Sequence, residues 1–378
     1  MLLPLHRRKN ILLRGLPGSG KTTLIERLIK VLPGPKKGFY TKEVREHGRR
    51  IGFKIITLEG RETWLAKRGK GHPQVGKYRV YLEEFERLVV PILRDITPQT
   101  LLIIDEIGKM ELFSRPFQQA VWAALDSSIP VLATMGYGRL PFLEKLSQRS
   151  EAIFLEVSPA SREHLVYRTP LEIHRPGLLI ALEGIDGAGK STLGRQLARA
   201  LRTKGFKVFT TFEPTLGAWG QKIRHHLQRG SKISPKALAE LFLRDRIDHV
   251  TKIIIPKLSQ GNIILCDRYY LSTLAYQGAA GLEIETLKLQ NETWAPVPDI
   301  VLYLDIAPEK GIERLDQERE IFENLAFLKR VKEIYEKLLA GFVHERVDAT
   351  QPLEKVLEQS VKRLTPYLEL WHKNRKEV

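Results

Sequence analysis

The stretch Gly184-Ile185-Asp186-Gly187-Ala188-Gly189-Lys190-Ser191 decides the fold of its half of the chain. An apolar run, Leu178 to Leu182, precedes it, and a segment with helical spacing, Leu193 to Leu201, follows it. The pattern G-x-x-x-x-G-K-[ST] provides glycines where the backbone turns tightly, a lysine that reaches the β- and γ-phosphates, and a hydroxyl that holds Mg²⁺. The order strand, loop, helix therefore predicts a phosphate-binding loop in an α/β domain.

A second copy of the pattern, Gly15-Leu16-Pro17-Gly18-Ser19-Gly20-Lys21-Thr22, lies near the start of the chain. It also follows an apolar run and opens an amphipathic segment. Because 378 residues are long for one core, we predict an α/β protein with two P-loop NTPase domains, each a mostly parallel sheet flanked by helices. The predicted domains are residues 1–170 and 178–378, and residues 171–177 form a linker, because the stretch Thr169 to Gly177 has two prolines and no periodicity.

Composition indicates a soluble globular protein, with 43% hydrophobic and 28% charged residues. No run approaches the length of a transmembrane helix, and the first residues lack the order of a secretory signal. The single cysteine, Cys266, excludes an intramolecular disulfide and is typical of a reducing compartment. We therefore expect a cytoplasmic protein without a membrane partner.

The formal net charge of +17 is compatible with a nucleic-acid partner or with a field that attracts nucleotide polyphosphates. Lysines and arginines are dispersed along the sequence, without a block of five or six like charges, and no zinc-finger or RNA-binding signature occurs. We therefore expect small nucleotides, rather than nucleic acid, as partners.

The first half carries two carboxylates at the end of an apolar run. Asp105 and Glu106 follow Leu101-Leu102-Ile103-Ile104, which is typical of a parallel strand covered on both faces. Open α/β sheets bind ligands at the carboxyl ends of their strands. We expect Lys21 to hold phosphates, Asp105 and Thr22 to hold Mg²⁺, and Glu106 to orient or deprotonate an attacking water. The alternative is that the two carboxylates merely end a strand.

Short β-rich runs in this half, including Phe53 to Leu58, predict a small β-meander inserted in the α/β frame. Three segments resemble the THEP1-type nucleoside triphosphatases: Gly38 to Val44, Val75 to Tyr78 and, above all, Asp105-Glu106-Ile107-Gly108-Lys109-Met110-Glu111-Leu112. The resemblance implies slow, broad-specificity hydrolysis of nucleoside triphosphates to diphosphate and phosphate. This chain reads Met135-Gly136-Tyr137 where the family often has a polar residue, commonly His.

One buried-type strand of the second half is followed by an Asp-Arg pair. The segment Asn262 to Cys266 is predicted to be this strand, and it runs directly into Asp267 and Arg268. An Asp at this position can serve a metal or its waters, and an Arg can clamp an acceptor phosphate bidentately. The pair therefore predicts transfer from one phosphate to another.

Two helices of the second half are predicted from spacing and caps. Ser234-Pro235 offers an N-cap and a first-turn proline for a helix that reaches about Leu258. Phe242 and Arg246 are four residues apart and share a face of that helix. Apolar residues that recur between Leu325 and Leu339 are interpreted as core rather than as a cofactor site.

The second half resembles the thymidylate kinases over about residues 178–366. The resemblance rests on Glu183 to Thr192, Asp267-Arg268-Tyr269 with Ser272 and Ala275-Tyr276-Gln277-Gly278, Pro298-Asp299, and Val347-Asp348-Ala349. The spacing from Asp-Arg-Tyr to Tyr-Gln-Gly is specific among nucleoside monophosphate kinases. The resemblance to thymidylate kinases implies phosphoryl transfer from ATP to dTMP, and a homodimer formed through this half.

The resemblance implies a role for each matching residue: stacking on thymine (Phe242), hydrogen bonds to a base edge (Arg246), a contact to the base (Gln277), a grip on the dTMP phosphate (Arg268), packing under deoxyribose to disfavour a 2′-hydroxyl (Tyr276), a contact to the 3′-hydroxyl (Asp186), another substrate contact (Glu213), and binding of the ATP phosphates and Mg²⁺ (Lys190, Ser191 and Asp267).

The chain departs from the family pattern at two places. Phe212 stands where many bacterial members have an arginine before the Glu-Pro pair. The lid around Leu315 to Glu323 also lacks the usual Asp-Arg pair. Because the loop has Gly187 and Ala188 where one subgroup has an arginine, the resemblance implies that the catalytic arginine comes from the lid. We expect Arg319 in that role, with Arg314 as the second candidate.

We conclude from the sequence that the second domain is a Mg-ATP-dependent dTMP kinase and the first an NTPase. Two alternatives remain open at this point. One is another deoxynucleoside monophosphate kinase, and the other is a nucleotide-gated regulatory or nucleic-acid-binding protein with little turnover.

Overall fold

The computed structural model describes residues 10–95, 97, 100–149, 151–228, 233–315 and 324–376. The chain divides into two compact units after Ile173. Each unit contains one sheet flanked by helices, as the two phosphate loops predict. In the ranges described, no helix has both the length and the apolar character needed to cross a lipid bilayer. The cytoplasmic location stays a prediction.

The first unit contains one mixed sheet and five α-helices in its described part. Its strands are β1 (Asn10–Arg14), β2 (Lys36–Glu46), β3 (Arg49–Thr57), β4 (Glu62–Arg68), β5 (Gln74–Val75), β6 (Tyr78–Val80), β7 (Leu101–Ile107), β8 (Val131–Met135) and β9 (Ala152–Glu156). Its helices are α1 (Lys21–Val31), α2 (Leu82–Arg94), α3 (Arg115–Asp126), α4 (Pro141–Ser147) and α5 (Arg162–Arg168). The strand order is β5-β6-β4-β3-β2-β7-β8-β1-β9.

The parallel and antiparallel parts of this sheet follow from its sequence patterns. Strands β2, β7, β8, β1 and β9 pair in parallel. The residues of β8 are all buried, as are most of those in β7, as expected for mainly apolar strands covered on both faces. Strands β3, β4 and β6 extend the sheet in antiparallel fashion from β2, which confirms the predicted meander. The carboxyl ends of β1 and β7 therefore lie at one edge of the sheet.

The second unit is built on a five-stranded, fully parallel sheet within its described residues. The strands are β10 (Leu178–Glu183), β11 (Val208–Phe212), β12 (Ile263–Asp267), β13 (Ile300–Asp305) and β14 (His344–Asp348), in the order β11-β12-β10-β13-β14. The helices are α6 (Lys190–Thr203), α7 (Ala218–Gln228), α8 (Pro235–His249), α9 (Ile255–Ser259), α10 (Tyr270–Ala279), α11 (Ile284–Trp294), α12 (Pro308–Glu313), α13 (Leu325–Leu339) and α14 (Leu353–Lys376).

The helix predicted from Ser234 to about Leu258 is present but interrupted. The Ser234 side chain caps α8 by accepting a hydrogen bond from the backbone of Ala237 at 3.2 Å. A π-helical turn, Val250–Ile254, then separates α8 from α9. Pro256 explains the interruption, because proline lacks an N–H and its ring clashes with the carbonyl four residues earlier.

The stretch predicted as a linker contains a buried ion pair of the second unit. Arg175 is fully buried, and its guanidinium donates to Asp299 Oδ2 at 3.0 Å and to the carbonyl oxygen of Val297 at 2.6 Å. The same Asp299 oxygen accepts the backbone N–H of Leu179 at 2.8 Å, at the start of β10. This carboxylate therefore ties the entry of the chain into the second unit to the strand that leads to the phosphate loop.

We predict that Arg175→Leu destabilises the protein by about 3–5 kcal/mol, because it leaves the Asp299 carboxylate buried without its cation. Urea denaturation of the two proteins measures the difference. The matched control is Arg363→Leu, which removes a half-exposed pair with Glu345 and should cost less than about 1 kcal/mol. Equal losses in both variants would contradict the importance of the buried pair.

Candidate active sites

The phosphate loop of the second unit presents a buried lysine at the start of a helix. Lys190 is the first residue of α6, and Gly189 before it has a left-handed φ of 85°. The Lys190 ammonium donates to the carbonyl oxygens of Gly184 at 3.0 Å and Ile185 at 2.7 Å. Burial, and next the positive charge of Arg268, lower the pKa of Lys190 to about 8. Bound phosphates would oppose both effects, since negative charge favours the ammonium form.

A cavity of about 770 Å³ lies beside this loop. Most of the site residues predicted for this half line it: Asp186, Gly187, Gly189, Lys190, Ser191, Glu213, Phe242, Asp267, Arg268, Tyr276 and Gln277. Its wall therefore combines cationic, carboxylate and aromatic side chains, which is what a phosphorylated nucleoside requires.

Arg268 is held at the carboxyl end of β12 in an uncommon backbone conformation. Its φ is +64°, a left-handed value that costs about 1–3 kcal/mol for a residue with a side chain. The guanidinium pairs with Asp186 and donates to Ser272 Oγ at 3.2 Å. Tyr276 Oη donates to the other Asp186 oxygen at 2.6 Å. Burial alone would raise the pKa of Asp186, but the charges of Arg268 and Lys190 outweigh burial and lower it.

Ser191 and Asp267 provide oxygen ligands next to each other. The Ser191 hydroxyl donates to Asp267 Oδ2, which joins the first turn of α6 to the end of β12. Hydroxyl, carboxylate and water oxygens are the donors that Mg²⁺ prefers. The residues present therefore fit this ion.

Arg246 and Glu213 form a buried cluster. Arg246 is 1% exposed, does not line the cavity, and donates to Glu213 Oε2 through Nε at 2.9 Å. It also contacts Asn291 Oδ1 at 2.5 Å, and His249 Nδ1 lies 2.9 Å from Glu213 Oε1. Burial opposes the charge of Glu213, but Arg246 and His249 outweigh it and lower its pKa. The roles of Arg246 and Glu213 in substrate binding stay predictions.

A second buried carboxylate, Glu183, was not predicted as a site residue. It accepts hydrogen bonds from Ser272 Oγ at 2.6 Å, from Tyr335 Oη at 2.8 Å and from the backbone N–H of Tyr269 at 2.9 Å. Burial raises its pKa. Tyr335 belongs to the apolar repeat between Leu325 and Leu339 that is predicted as core, and it is fully buried, but its hydroxyl also lies 2.9 Å from Ser272 Oγ. Leu325, also predicted as core, is 38% exposed because it begins α13.

The two candidate lid arginines differ in what the structure shows. Arg319 lies outside the described residues. Arg314 follows α12 and donates to the carbonyl oxygen of Ala349 at 2.8 Å.

Phe212, which stands in place of the family's arginine, is 43% exposed and lines the cavity. Arg224 also lines the cavity and donates to the carbonyl oxygen of Pro214 at 2.7 Å, although sequence reasoning did not select it.

The first unit repeats the arrangement of loop and lysine. Gly20 has a φ of +90° directly before α1, and Lys21 donates to the carbonyl oxygens of Gly15 at 3.0 Å and Leu16 at 3.3 Å. The Arg162 guanidinium packs against this loop, 2.7 Å from the point that a Cβ on Gly20 would occupy. Arg162 is a cation that the sequence pattern did not select.

Asp105 is buried at the carboxyl end of β7, as predicted. Its oxygens accept hydrogen bonds from Thr134 Oγ1 at 2.7 Å and from the backbone N–H of Thr41 at 3.3 Å, and the Thr22 hydroxyl also bonds to it. Burial, against the effect of these hydrogen bonds, raises the pKa of Asp105 to about 6. The oxygens of Thr22 and Asp105 form a donor set that fits Mg²⁺.

Glu106 and Glu111 bring two further carboxylates to this site. A Cβ added to Gly108 would lie 3.1 Å from Glu106 Oε1 and 3.0 Å from Glu111 Oε2, so both carboxylates lie close to this glycine and a larger residue would crowd them. Burial, and next the charge of Glu106, raise the pKa of Glu111 to about 8. Glu111 therefore prefers its neutral form beside the predicted base, and the motif contained it without assigning it a role.

Tyr137 lies in the segment where the family often has a polar residue. The Arg14 guanidinium carbon is 5.1 Å from the centroid of its ring. Burial, and next a hydrogen bond with Glu156, raise the pKa of Tyr137 to about 12. Its hydroxyl therefore stays protonated and is engaged by Glu156.

Comparisons with known proteins match each half separately. A family model described as thymidylate kinase matches residues 182–360, and a model described as NTPase matches residues 10–169. The thymidylate kinase of Desulfotalea psychrophila is 42% identical over 201 residues, which are 52% of this chain and 98% of that protein. The thymidylate kinase of Xanthomonas euvesicatoria pv. vesicatoria is 42% identical over 193 residues, 50% of this chain and 84% of that protein.

Among the solved structures that match the chain is one with 34% sequence identity. It is THEP1 from the hyperthermophile Aquifex aeolicus, and the match covers 42% of this chain and 94% of that one with a TM-score of 0.39.

We predict that Glu111 makes stability depend on pH. Its pKa of about 8 lies above the ordinary value of 4.5, so the folded protein binds a proton that the unfolded chain releases between these two pH values. The free energy of unfolding should therefore fall as the pH rises from about 4.5 to 8. Glu111→Gln should reduce that fall, because the amide stays neutral. Urea denaturation at several pH values measures this, and identical slopes for both proteins would contradict it.

Proposed function

Since the chain belongs to the thymidylate kinase family and carries an NTPase-family domain before it, we propose that the second unit phosphorylates dTMP with Mg-ATP. The protein is a kinase with a fused NTPase. The observation that carries the proposal is the cavity that collects Lys190, Arg268 and Asp267 beside the ring of Phe242. The proposed domains are residues 1–170 and 178–378, joined by residues 171–177.

The proposed reaction joins an oxygen of the dTMP phosphate to the γ-phosphorus of ATP while the bond to the β-γ bridging oxygen breaks, giving dTDP and ADP. Lys190 would leave its loop carbonyls and bind the ATP phosphates. Arg268 would hold the acceptor phosphate bidentately, since its guanidinium already lies in the cavity wall. Catalysis would come from positioning and charge neutralisation, without a covalent enzyme intermediate.

Acceptor specificity would come from Phe242, Gln277, Tyr276 and Asp186. The ring of Phe242 would stack on thymine, and the Gln277 amide would contact the base. The Tyr276 hydroxyl is bonded to Asp186, which restrains both groups at the sugar. Arg246 would hydrogen-bond to a base edge, or it would act indirectly by holding Glu213 in place, since it donates a hydrogen bond to that carboxylate.

Ser191 and Asp267 would hold Mg²⁺ in the second unit, and Thr22 and Asp105 would hold it in the first. The ion, when bound, supplies positive charge to the phosphate oxygens. Arg319, although outside the described residues, remains the proposed lid arginine.

For the first unit we propose hydrolysis of nucleoside triphosphates to diphosphate and phosphate. Lys21 would bind the phosphates, and Glu106 would orient a water or take its proton. Because Glu111 would be neutral, Glu106 would be the carboxylate of this pair that accepts the proton of the water. We further propose that the protein forms a homodimer through the second unit.

Lys190→Ala should lower dTMP-dependent ADP formation by about 10²- to 10³-fold, because a preorganised cation at the transferring phosphate is lost. The measurement is a coupled assay of ADP from Mg-ATP with and without dTMP. The matched variant Lys21→Ala should remove only the dTMP-independent background. Loss of both activities in either variant, with the fold intact by circular dichroism, would contradict two separate sites.

A panel of dTMP, dUMP, dCMP and dGMP distinguishes the proposed reaction from that of another deoxynucleotide kinase. The highest kcat/KM is expected for dTMP. If dTMP adds nothing to the background rate, the second unit has no dTMP kinase activity.

Tyr276→Phe should lower discrimination between dTMP and its ribose counterpart by about tenfold, because the ring remains while the hydroxyl that holds Asp186 is lost. The ratio of the two kcat/KM values measures this. An unchanged ratio would remove Tyr276 from sugar selection.

A further inference from the structure

The positive charge of this protein is concentrated in one part of the first unit. Residues 36–79 contain thirteen Lys and Arg against four Glu, a net charge of +9 out of +17 for the whole chain. These residues form β2, β3, β4, β5 and β6, and the later part of β2 together with the four strands after it is the antiparallel extension of the sheet. Apart from Thr41, which hydrogen-bonds to Asp105, this extension has no role in the proposed hydrolysis reaction.

The two faces of the extension differ in character. One face carries buried apolar side chains of the core, among them Ile55, Leu65 and Tyr78. The other face carries Lys42, Lys54, Trp64, Lys67 and Arg79, none of which is buried. We call these five residues the basic face. Strand pairing places Lys42 opposite Lys54, Lys54 opposite Trp64, and Lys67 opposite Arg79, so the row crosses four adjacent strands.

This row brings like charges together at a cost in stability. Lys42 faces Lys54 directly, and Lys67 faces Arg79 directly, although like charges at opposite positions destabilise a sheet. Glu62 compensates one of these cations by pairing with Lys54. A bound polyanion would relieve the remaining repulsion.

Trp64 gives the basic face an aromatic surface. The Lys67 ammonium lies 4.1 Å from the centroid of the indole ring, and that of Lys54 lies 5.3 Å from a ring centroid of the same side chain. The ring lies over Gly52, where any Cβ would come within 2.9 Å of it. An indole flanked by ammonium groups on an open sheet combines base stacking with phosphate contacts, which is how proteins bind single-stranded nucleic acid.

We propose that the basic face binds single-stranded nucleic acid through its backbone phosphates, with Trp64 stacked on a base. With strands about 4.8 Å apart, the row spans about 14 Å. A duplex fits this site less well, because its bases are stacked inside the helix and cannot reach the indole. Anionic lipid offers charge but no base to stack.

The test uses the full chain and a labelled single strand of about 16 nucleotides, with excess Mg-ADP and dTMP to occupy both nucleotide sites. Fluorescence anisotropy should show binding that weakens by about 50-fold between about 50 and 200 mM salt, as four phosphate contacts imply. Tryptophan fluorescence should be quenched by the single strand and not by a duplex. Trp64→Leu should abolish the quenching, and Trp64→Phe should retain the affinity.

The charge contribution is tested by two double variants that each remove two positive charges. Lys42→Gln/Lys67→Gln should lower affinity by about tenfold and make the salt dependence shallower. Arg87→Gln/Lys145→Gln, which changes exposed cations on α2 and α4, should leave both unchanged. Equal effects of the two variants, absence of salt-dependent binding, or tighter binding to phosphatidylserine vesicles than to the single strand would each overturn the proposal.

Discussion

Each half of this protein is organised around a buried lysine ammonium at the start of a helix. A helix N-terminus offers N–H groups and no acceptors, so the ammonium must find oxygen elsewhere. In both units it bonds to carbonyl oxygens of its own loop, at 3.0 Å from Gly15 and 3.0 Å from Gly184. The left-handed glycines before each lysine make this geometry possible. The loop is thereby shaped for phosphate, which can replace the carbonyls as the partner of the ammonium.

The two units differ in what the neighbouring strand brings to that loop. In the second unit, β12 ends at Asp267, and Arg268 directly after it adds a second cation to the cavity beside the loop. In the first unit, β7 ends in Asp105 and Glu106, with Glu111 close by, so that carboxylates predominate. Cations suit an anionic acceptor, whereas a carboxylate suits a water that must lose a proton. The same sheet edge therefore supports transfer in one unit and hydrolysis in the other.

Two buried arginines of the second unit each pair with a buried carboxylate. Arg175 binds Asp299, and Arg246 binds Glu213. Such pairs hold geometry more than they add stability, because desolvation offsets much of their attraction. Glu183 is held by neutral donors instead, the hydroxyls of Ser272 and Tyr335, and Ser272 also accepts a hydrogen bond from Arg268.

The sequence by itself determined the two phosphate loops, the apolar strands that precede them, the meander and the carboxylates at the strand ends. These features depend on neighbouring residues, and their patterns are local. Tertiary structure decided which distant side chains meet: Tyr335 reaches Glu183 across 152 positions, and Arg246 reaches Glu213 across 33. It also decided that Lys42, Lys54 and Lys67 share one face, because strand pairing and a β-bulge, rather than spacing alone, set which side chains point together.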